Sequence, residues 1–351
     1  MSSRLLERLQ PFLAVILGLM AGLLVTAIAG ENPWHVFMIL VHSAFGSAED
    51  FGMTLFYSTP LIFTGLSVAM AFHSGLFNIG AEGQLIFGAL AAASCGALLP
   101  HVPWPLAPIL ATACAIAGGA FWGMIPGWLR AKRGSHEVIN TIMLNFVAAG
   151  LSSYVTLYLL RNTESQNPET RAIGASYLLS KWQVFGEAPF SSAFFLALLA
   201  AFAVWVLLWK TVIGFEIRAV GQSESAARSA GIDAGRIRIL AMTLAGGLAG
   251  MVGVGEVLGN AGKFRMGFSP DYGFIGIAVA LLGRNKPLGV VASAILFGAL
   301  HKGTTALDFE TENVTKELSL LLQALVILSV SADGLWAWTK SRKKAQEGAR
   351  T

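Results

Sequence analysis

The sequence predicts an all-α membrane protein, a polytopic bundle of about ten spanning helices with both ends in the cytoplasm. Three observations predict it. First, 55% of the 351 residues are hydrophobic and 13% are charged, with a mean hydropathy of +0.64; a soluble chain carries about 25% charged residues. Second, the apolar runs recur at the length a helix needs to cross hydrocarbon, about 20 residues. They cover 11–29, 54–72, 81–99, 106–129, 137–160, 191–212, 237–258, 272–283, 287–304 and 316–334, of which the eighth is short enough to be a half-helix. Third, Lys and Arg obey the positive-inside rule. With the amino terminus inside and alternating spans, 17 of the 24 basic residues fall on the cytoplasmic side. A nine-span arrangement breaks that pattern.

The whole chain, 1–351, reads as a single transmembrane domain. Arg4 and Arg8 precede a first span that is too long for a signal peptide's apolar core and fits an uncleaved helix. Residues 31–53 are external and partly apolar, with Trp34, His35 and Phe37 suited to an interfacial helix. Residues 161–190 form an irregular external segment. Residues 214–238 form a long cytoplasmic loop, and the basic tail 339–351 holds topology. Cys95 and Cys114 lie in apolar runs and read as small buried residues rather than a disulfide or a metal site. The basic excess is explained by topology, so no nucleic-acid partner is expected; the partner on all sides is lipid.

Two segments carry the functional signal. In residues 64–90, two apolar runs flank a Gly-rich break that contains Asn78, Glu82 and Gln84. Irregular backbone and polar groups at membrane depth are tolerated only beside protein or a water-filled cavity. The break therefore reads as part of a polar path, or as a cytoplasmic turn whose Glu82 complements a helix dipole. Residues 246–283 repeat the pattern in the opposite orientation, as inverted repeats of transporters do. Other candidates for the path are Phe77, which could stack on a base, Asn140 and Asn145 on the fifth span, and Glu256 near the outer end of the seventh. The second segment is the loop GFEIRAVGQSESAARSAGIDAGRIR, where Ser223 starts a short helix, Gly231 stops it and Asp233 starts the next. Such a helix is a rigid knob suited to a groove on a soluble partner, or a plain surface connection.

Residues 65–92, 133–148, 214–259 and 273–290 closely resemble the permease subunits of ABC importers for nucleosides and simple sugars, relatives of the ribose-type branched permeases. The likeness runs in order from about residue 50 to 335. It implies the type II importer bundle. It also implies that Gly221, Ser223, Glu224, Ser225, Ala226, Ala227, Gly231 and Ile232 belong to a coupling helix seated on an ATPase subunit. A second, unlike permease and an external solute-binding protein complete the assembly it implies, in the inner membrane of a bacterium, with a purine nucleoside as the solute and this chain as the larger permease. The chain has no phosphate-binding Gly-x-x-x-x-Gly-Lys-Ser/Thr motif. ATP and Mg²⁺ are therefore expected on the partner, with no cofactor and no catalytic residue here. The competing reading is a stand-alone, ion-coupled carrier of small polar solutes, which calls for mid-span charges acting as a relay.

Overall fold

The computed structural model describes residues 3–311, with Leu321, Ala324, Leu325 and Leu328 beyond them. The tenth expected span, apart from those four leucine and alanine positions, and the basic tail lie outside the described residues. Twelve α-helices are described: α1 (Ser3–Ile28), α2 (Pro33–Phe45), α3 (Ala48–His73), α4 (Ala81–Leu98), α5 (Leu106–Arg133), α6 (Glu137–Tyr154), α7 (Ala193–Lys210), α8 (Val212–Gln222), α9 (Glu224–Ser229), α10 (Ala234–Gly250), α11 (Tyr272–Leu282) and α12 (Pro287–Glu310). Wide π-helical turns extend α6 through Val155–Leu159 and carry the chain beyond α10 over Val254–Ala261. Seven helices are long and apolar enough to span a membrane. This is a multi-pass membrane protein.

Contacts divide the chain into two compact units, residues 1–47 with 299–351, and residues 48–298. In the first, Val36, Ile39 and Leu40 of α2 pack with Leu307 and Leu23. Asn32 begins α2 by accepting from the backbone N–H groups of Trp34 and His35, and Pro33 occupies the first turn, where its missing N–H costs nothing. The helix expected between residues 31 and 53 is thus α2, and α3 starts six residues earlier than the apolar run suggests.

The second unit is held by close backbone approach. In α5, Ala107, Ala111, Ala115, Gly119, Gly123 and Gly127 recur every fourth residue and are all buried. They form one stripe, against which α10 lays Met242, Gly246 and Gly250. A Cβ on Gly119 would overlap the Gly246 carbonyl, and one on Gly246 would overlap the Gly119 carbonyl. Lipid offers no hydrophobic drive for helix association, so small residues that let backbones touch supply the packing energy.

Half-helix geometry explains the short eighth run. Gly276 of α11 lies against Thr64 of α3, and nine residues further along both chains His73 Nε2 bonds the Asn285 carbonyl at 2.9 Å. The helices therefore run parallel in register. At 1.5 Å per residue α11 is about 16 Å long, half the hydrocarbon thickness. It starts midway along α3 and ends with it.

Residues 161–190 are irregular, as expected, but bound down. Ser176 Oγ donates to the Val102 carbonyl at 2.6 Å and Tyr177 OH to the Leu99 carbonyl at 2.8 Å. Buried Glu169 accepts from Lys263 Nζ at 2.7 Å. That ammonium hydrogen bond holds the Glu169 carboxyl below its ordinary range. A depressed folded-state value stabilises above the unfolded value and is lost as pH falls through the folded one. The cover over residues 161–190 is therefore expected to loosen below about pH 4. Hydrogen exchange of that segment should show the transition, and Glu169→Gln should remove its pH dependence.

Candidate functional site

The break between α3 and α4, residues 74–80, is built by side chains that satisfy its loose backbone. Asn78 and Gln84 are buried and face each other: Asn78 Nδ2 donates to Gln84 Oε1 at 2.9 Å, and Gln84 Nε2 donates to Asn78 Oδ1 at 3.0 Å. Asn78 also accepts from the Gly80 N–H and donates to Ser67 Oγ. From α6, Asn145 Oδ1 accepts from the Gly83 N–H at 2.8 Å, and its Nδ2 donates to the Ile79 carbonyl at 3.0 Å. These three amides replace the hydrogen bonds that a continuous helix would have made. Replacing Asn145 with Ala orphans two buried backbone groups, which is expected to cost on the order of 2–4 kcal/mol. Thermal unfolding of the detergent-solubilised chain would show it, and Asn145→Asp, which keeps only the acceptor, should fall between.

The break climbs as it goes. Its first residue follows His73 at the end of α3, yet Glu82 in the first turn of α4 accepts from the Gly273 N–H at 2.7 Å. Gly273 lies in the first turn of α11, halfway along α3. The amino ends of α4 and α11 therefore meet at mid-depth, so closely that a Cβ on Gly273 would overlap the Glu82 backbone. From there α4 runs one way and α11 the other. This is the expected pair of oppositely oriented helix–break–helix units. Helix amino ends carry partial positive charge, and the Glu82 carboxylate sits between two of them. Ser269 stands beside that carboxylate, within hydrogen-bonding reach, and its Oγ accepts from the Tyr272 N–H at 3.1 Å.

A cavity of about 250 Å³ opens beside Glu82, lined by Ser152 and Ser153 of α6 and by Met266, Phe268 and Ser269 of the second break. Grooves of about 450 and 520 Å³ lie elsewhere on the unit; Ile109, Phe195 and Leu196 wall the first, and Ser180, Lys181 and Ser192 join Trp104, Leu178 and Leu179 around the second. Glu256 is buried in the wide-turn segment, with Asn260, Tyr272 and Tyr57 around it. Phe77 packs edge-on against Phe72 at 5.0 Å between ring centres. Asn140 accepts from Ser135 Oγ at 2.9 Å, near the start of α6 and away from the cavity. Of the residues the sequence nominates for the path, the structure places Glu82 on a cavity wall. Sequence reasoning passed over Ser152, Ser153, Ser269 and Gly273, although the repeated break pattern pointed at the last two.

The loop nominated for coupling folds as α8, α9 and the start of α10. Ser223 Oγ accepts from the Ala226 N–H at 3.3 Å, and Asp233 Oδ1 from the Arg236 N–H at 3.1 Å. Gly231 takes the left-handed conformation, φ +82°, that ends the short helix. Ser225, Ala226 and Arg228 are exposed, whereas Ala227 is buried beneath them and the Ile232 N–H returns to its carbonyl. Glu224 bonds Arg238 of α10 at 2.8 Å and Arg228 at 2.6 Å. These two guanidinium groups, Arg238 foremost, hold its carboxyl below the usual range. The segment thus presents one face outward and is clamped to α10 by the other. Gly221, at the end of α8, touches the first break: a Cβ there would overlap the His73 carbonyl and come within 2.9 Å of the Gly75 nitrogen.

Residues 51–331 match the family described as "Branched-chain amino acid transport system / permease component". The chain is 36% identical to the guanosine ABC transporter permease protein NupP of Bacillus subtilis, across 95% of each chain. It is 34% identical to the glucose ABC transporter permease protein TsgB13 of Haloferax volcanii, across 91% of this chain and 85% of that one. A second Bacillus subtilis protein, the guanosine ABC transporter permease protein NupQ, is 28% identical across 70% of this chain and 78% of its own.

Proposed function

This chain belongs to the family of branched-chain amino acid transport system permease components, and from that premise we propose that it moves a nucleoside into the cell as one of two unlike permease subunits of an ATP-driven importer. One observation carries the reading: over 95% of its length the chain is similar to a permease described as a guanosine transporter. The geometry suits the role, because the cavity beside Glu82 lies where the amino ends of the oppositely directed α4 and α11 meet, the kind of junction at which transporters hold a solute. Bacillus subtilis has two guanosine permease proteins, both similar to this chain but to different degrees, 36% and 28% identical, which supports a heterodimer.

In this reading ATP and Mg²⁺ bind a separate ATPase, and an external receptor delivers the solute at the cytoplasmic membrane. The exposed face of α9, from Ser223 through Ser225, Ala226 and Gly231 to Ile232, seats on the ATPase, while Glu224 and Ala227 fix it to the bundle. Glu82 lines the path. Asn78, Gln84 and Asn145 hold the break beneath it in shape, whereas Phe77, Asn140 and Glu256 lie off the cavity wall. The chain hydrolyses nothing itself. A ligand drives the cycle only through its different affinities for the inward and outward states.

The test is reconstitution of the two permeases, the ATPase and the receptor in vesicles with radiolabelled guanosine. Uptake that needs ATP supports the reading. Accumulation by this chain alone, driven by a sodium or proton gradient, overturns it in favour of an ion-coupled carrier.

A further inference from the structure

We propose that the cavity beside Glu82 binds the vicinal diol of a sugar ring, with the Glu82 carboxylate accepting hydrogen bonds from both hydroxyls. The inference deepens the nucleoside reading and rests on it. Three observations carry it. The first is size. At about 250 Å³ the cavity falls just below the roughly 300 Å³ at which sites for whole drug-sized ligands begin. It has room for a sugar ring.

The second is the sense of its polar groups. Ser152 and Ser153 donate their hydroxyl protons to the Ala149 carbonyl, at 2.9 and 2.7 Å, so they face the cavity as acceptors. Ser269 accepts from the Tyr272 N–H, and Glu82 is an acceptor throughout. No Lys, Arg, Asn or Gln lines the space. A lining of acceptors selects a ligand rich in donors, and it repels phosphate or carboxylate groups.

The third is electrostatic. A lone carboxylate would also draw a cation, but Glu82 already accepts the Gly273 N–H at 2.7 Å and lies between two helix amino ends. Those partial charges counter part of its own and that of nearby Asp271, and the carboxylate keeps its acceptor oxygens for neutral donors. Neutral hydroxyls suit it, and a carboxylate on ribose hydroxyls is the pairing that dinucleotide-binding folds use. Phe268 and Met266 then give an apolar wall for the C–H face of the ring. Guanosine and glucose, the solutes named for two of the relatives, both carry such a diol.

The test compares guanosine with 2′-deoxyguanosine in the reconstituted complex, using wild type and Glu82→Gln. Glutamine keeps an oxygen for the Gly273 N–H but turns an amide donor toward the solute. The receptor is the same in both, so a change in the ratio belongs to the permease. KM for guanosine is expected to rise about tenfold, the worth of one hydrogen bond to a charged group, while KM for the deoxy analogue changes little. An unchanged ratio overturns the proposal. A second arm needs no transport. With Ser153→Cys in the purified complex, maleimide labelling at that position is read by peptide mass spectrometry. Protection by ribose and guanosine but not by 2′-deoxyguanosine supports the site, and no protection by any of them overturns it. If the wild-type complex takes up neither guanosine nor glucose, the transport reading fails while this arm still decides the site.

Discussion

A valine at Gly221 is expected to reduce ATP-driven uptake to background while the chain still inserts and still binds its ATPase. Gly221 is the penultimate residue of α8, two residues before the cap of α9, and its Cα rests on the backbone of His73 and Gly75. The obstacle to a side chain there is main chain, not a flexible tip, so it cannot yield by a rotamer change. Either α8 moves off or the break moves with it. The exposed face of α9 is untouched, because Ser223, Glu224 and Arg238 lie on the other side of the turn. What fails is transmission. From Gly221 the chain of contact passes through Gly75 into the break, then to the Asn78–Gln84 pair and the Glu82–Gly273 junction at mid-depth. The variant is expected to hydrolyse ATP without moving solute, which vesicle uptake and phosphate release measured side by side would show. Normal uptake at normal membrane levels would remove Gly221 from the coupling route.

Much of this architecture was legible in the sequence, and the reason is period and punctuation. Nine expected spans coincide with helices because each is an apolar run ended by Gly, Pro or a charged cluster. Ser223 and Asp233 announced their helices because a cap leaves a side-chain signature three residues ahead of the bond it makes. The half-helix α11 was legible only as a length deficit. Its partner on α3 is about 210 residues away, and no local pattern encodes that register. The depth of Glu82 was hidden for the same reason. Residues 74–80 look like a turn at one side of the membrane until the bond to Gly273 shows where the far end lies. Ser152 and Ser153 gave no signal, since serines that bond back to their own helix carbonyl are ordinary in spanning helices. The role of α8 was missed because its residues, VIGFEIRAVGQ, read as the opening of the cytoplasmic loop rather than as a helix of their own.

The α5–α10 seam carries the largest expected effect on folding. Gly246→Leu is expected to leave little or no folded protein, and Gly246→Ala should already weaken it. A Cβ at Gly246 meets the Gly119 carbonyl and, within 2.9 Å, the Gly123 Cα. Relief requires the helix axes to part, which opens the contacts of Gly250 and Met242 on the same stripe. In water a displaced helix could still gain from burying its apolar face. In lipid that gain is absent, and close packing is what holds the pair. Overpacking a tight core costs about 1–3 kcal/mol even where side chains can adjust; here the opposing atoms are backbone and cannot. The loss should spread to the site, because α10 leads through the wide turns to Glu256 and on to the second break. Gly150, on the open face of α6 with nothing within 4 Å of its would-be Cβ, supplies the control. Gly150→Leu should insert and unfold at the wild-type temperature. Fluorescence-detected size exclusion of the two variants separates them: a monodisperse Gly246→Leu peak at wild-type yield would mean that helix contact across this seam is not what assembles the bundle.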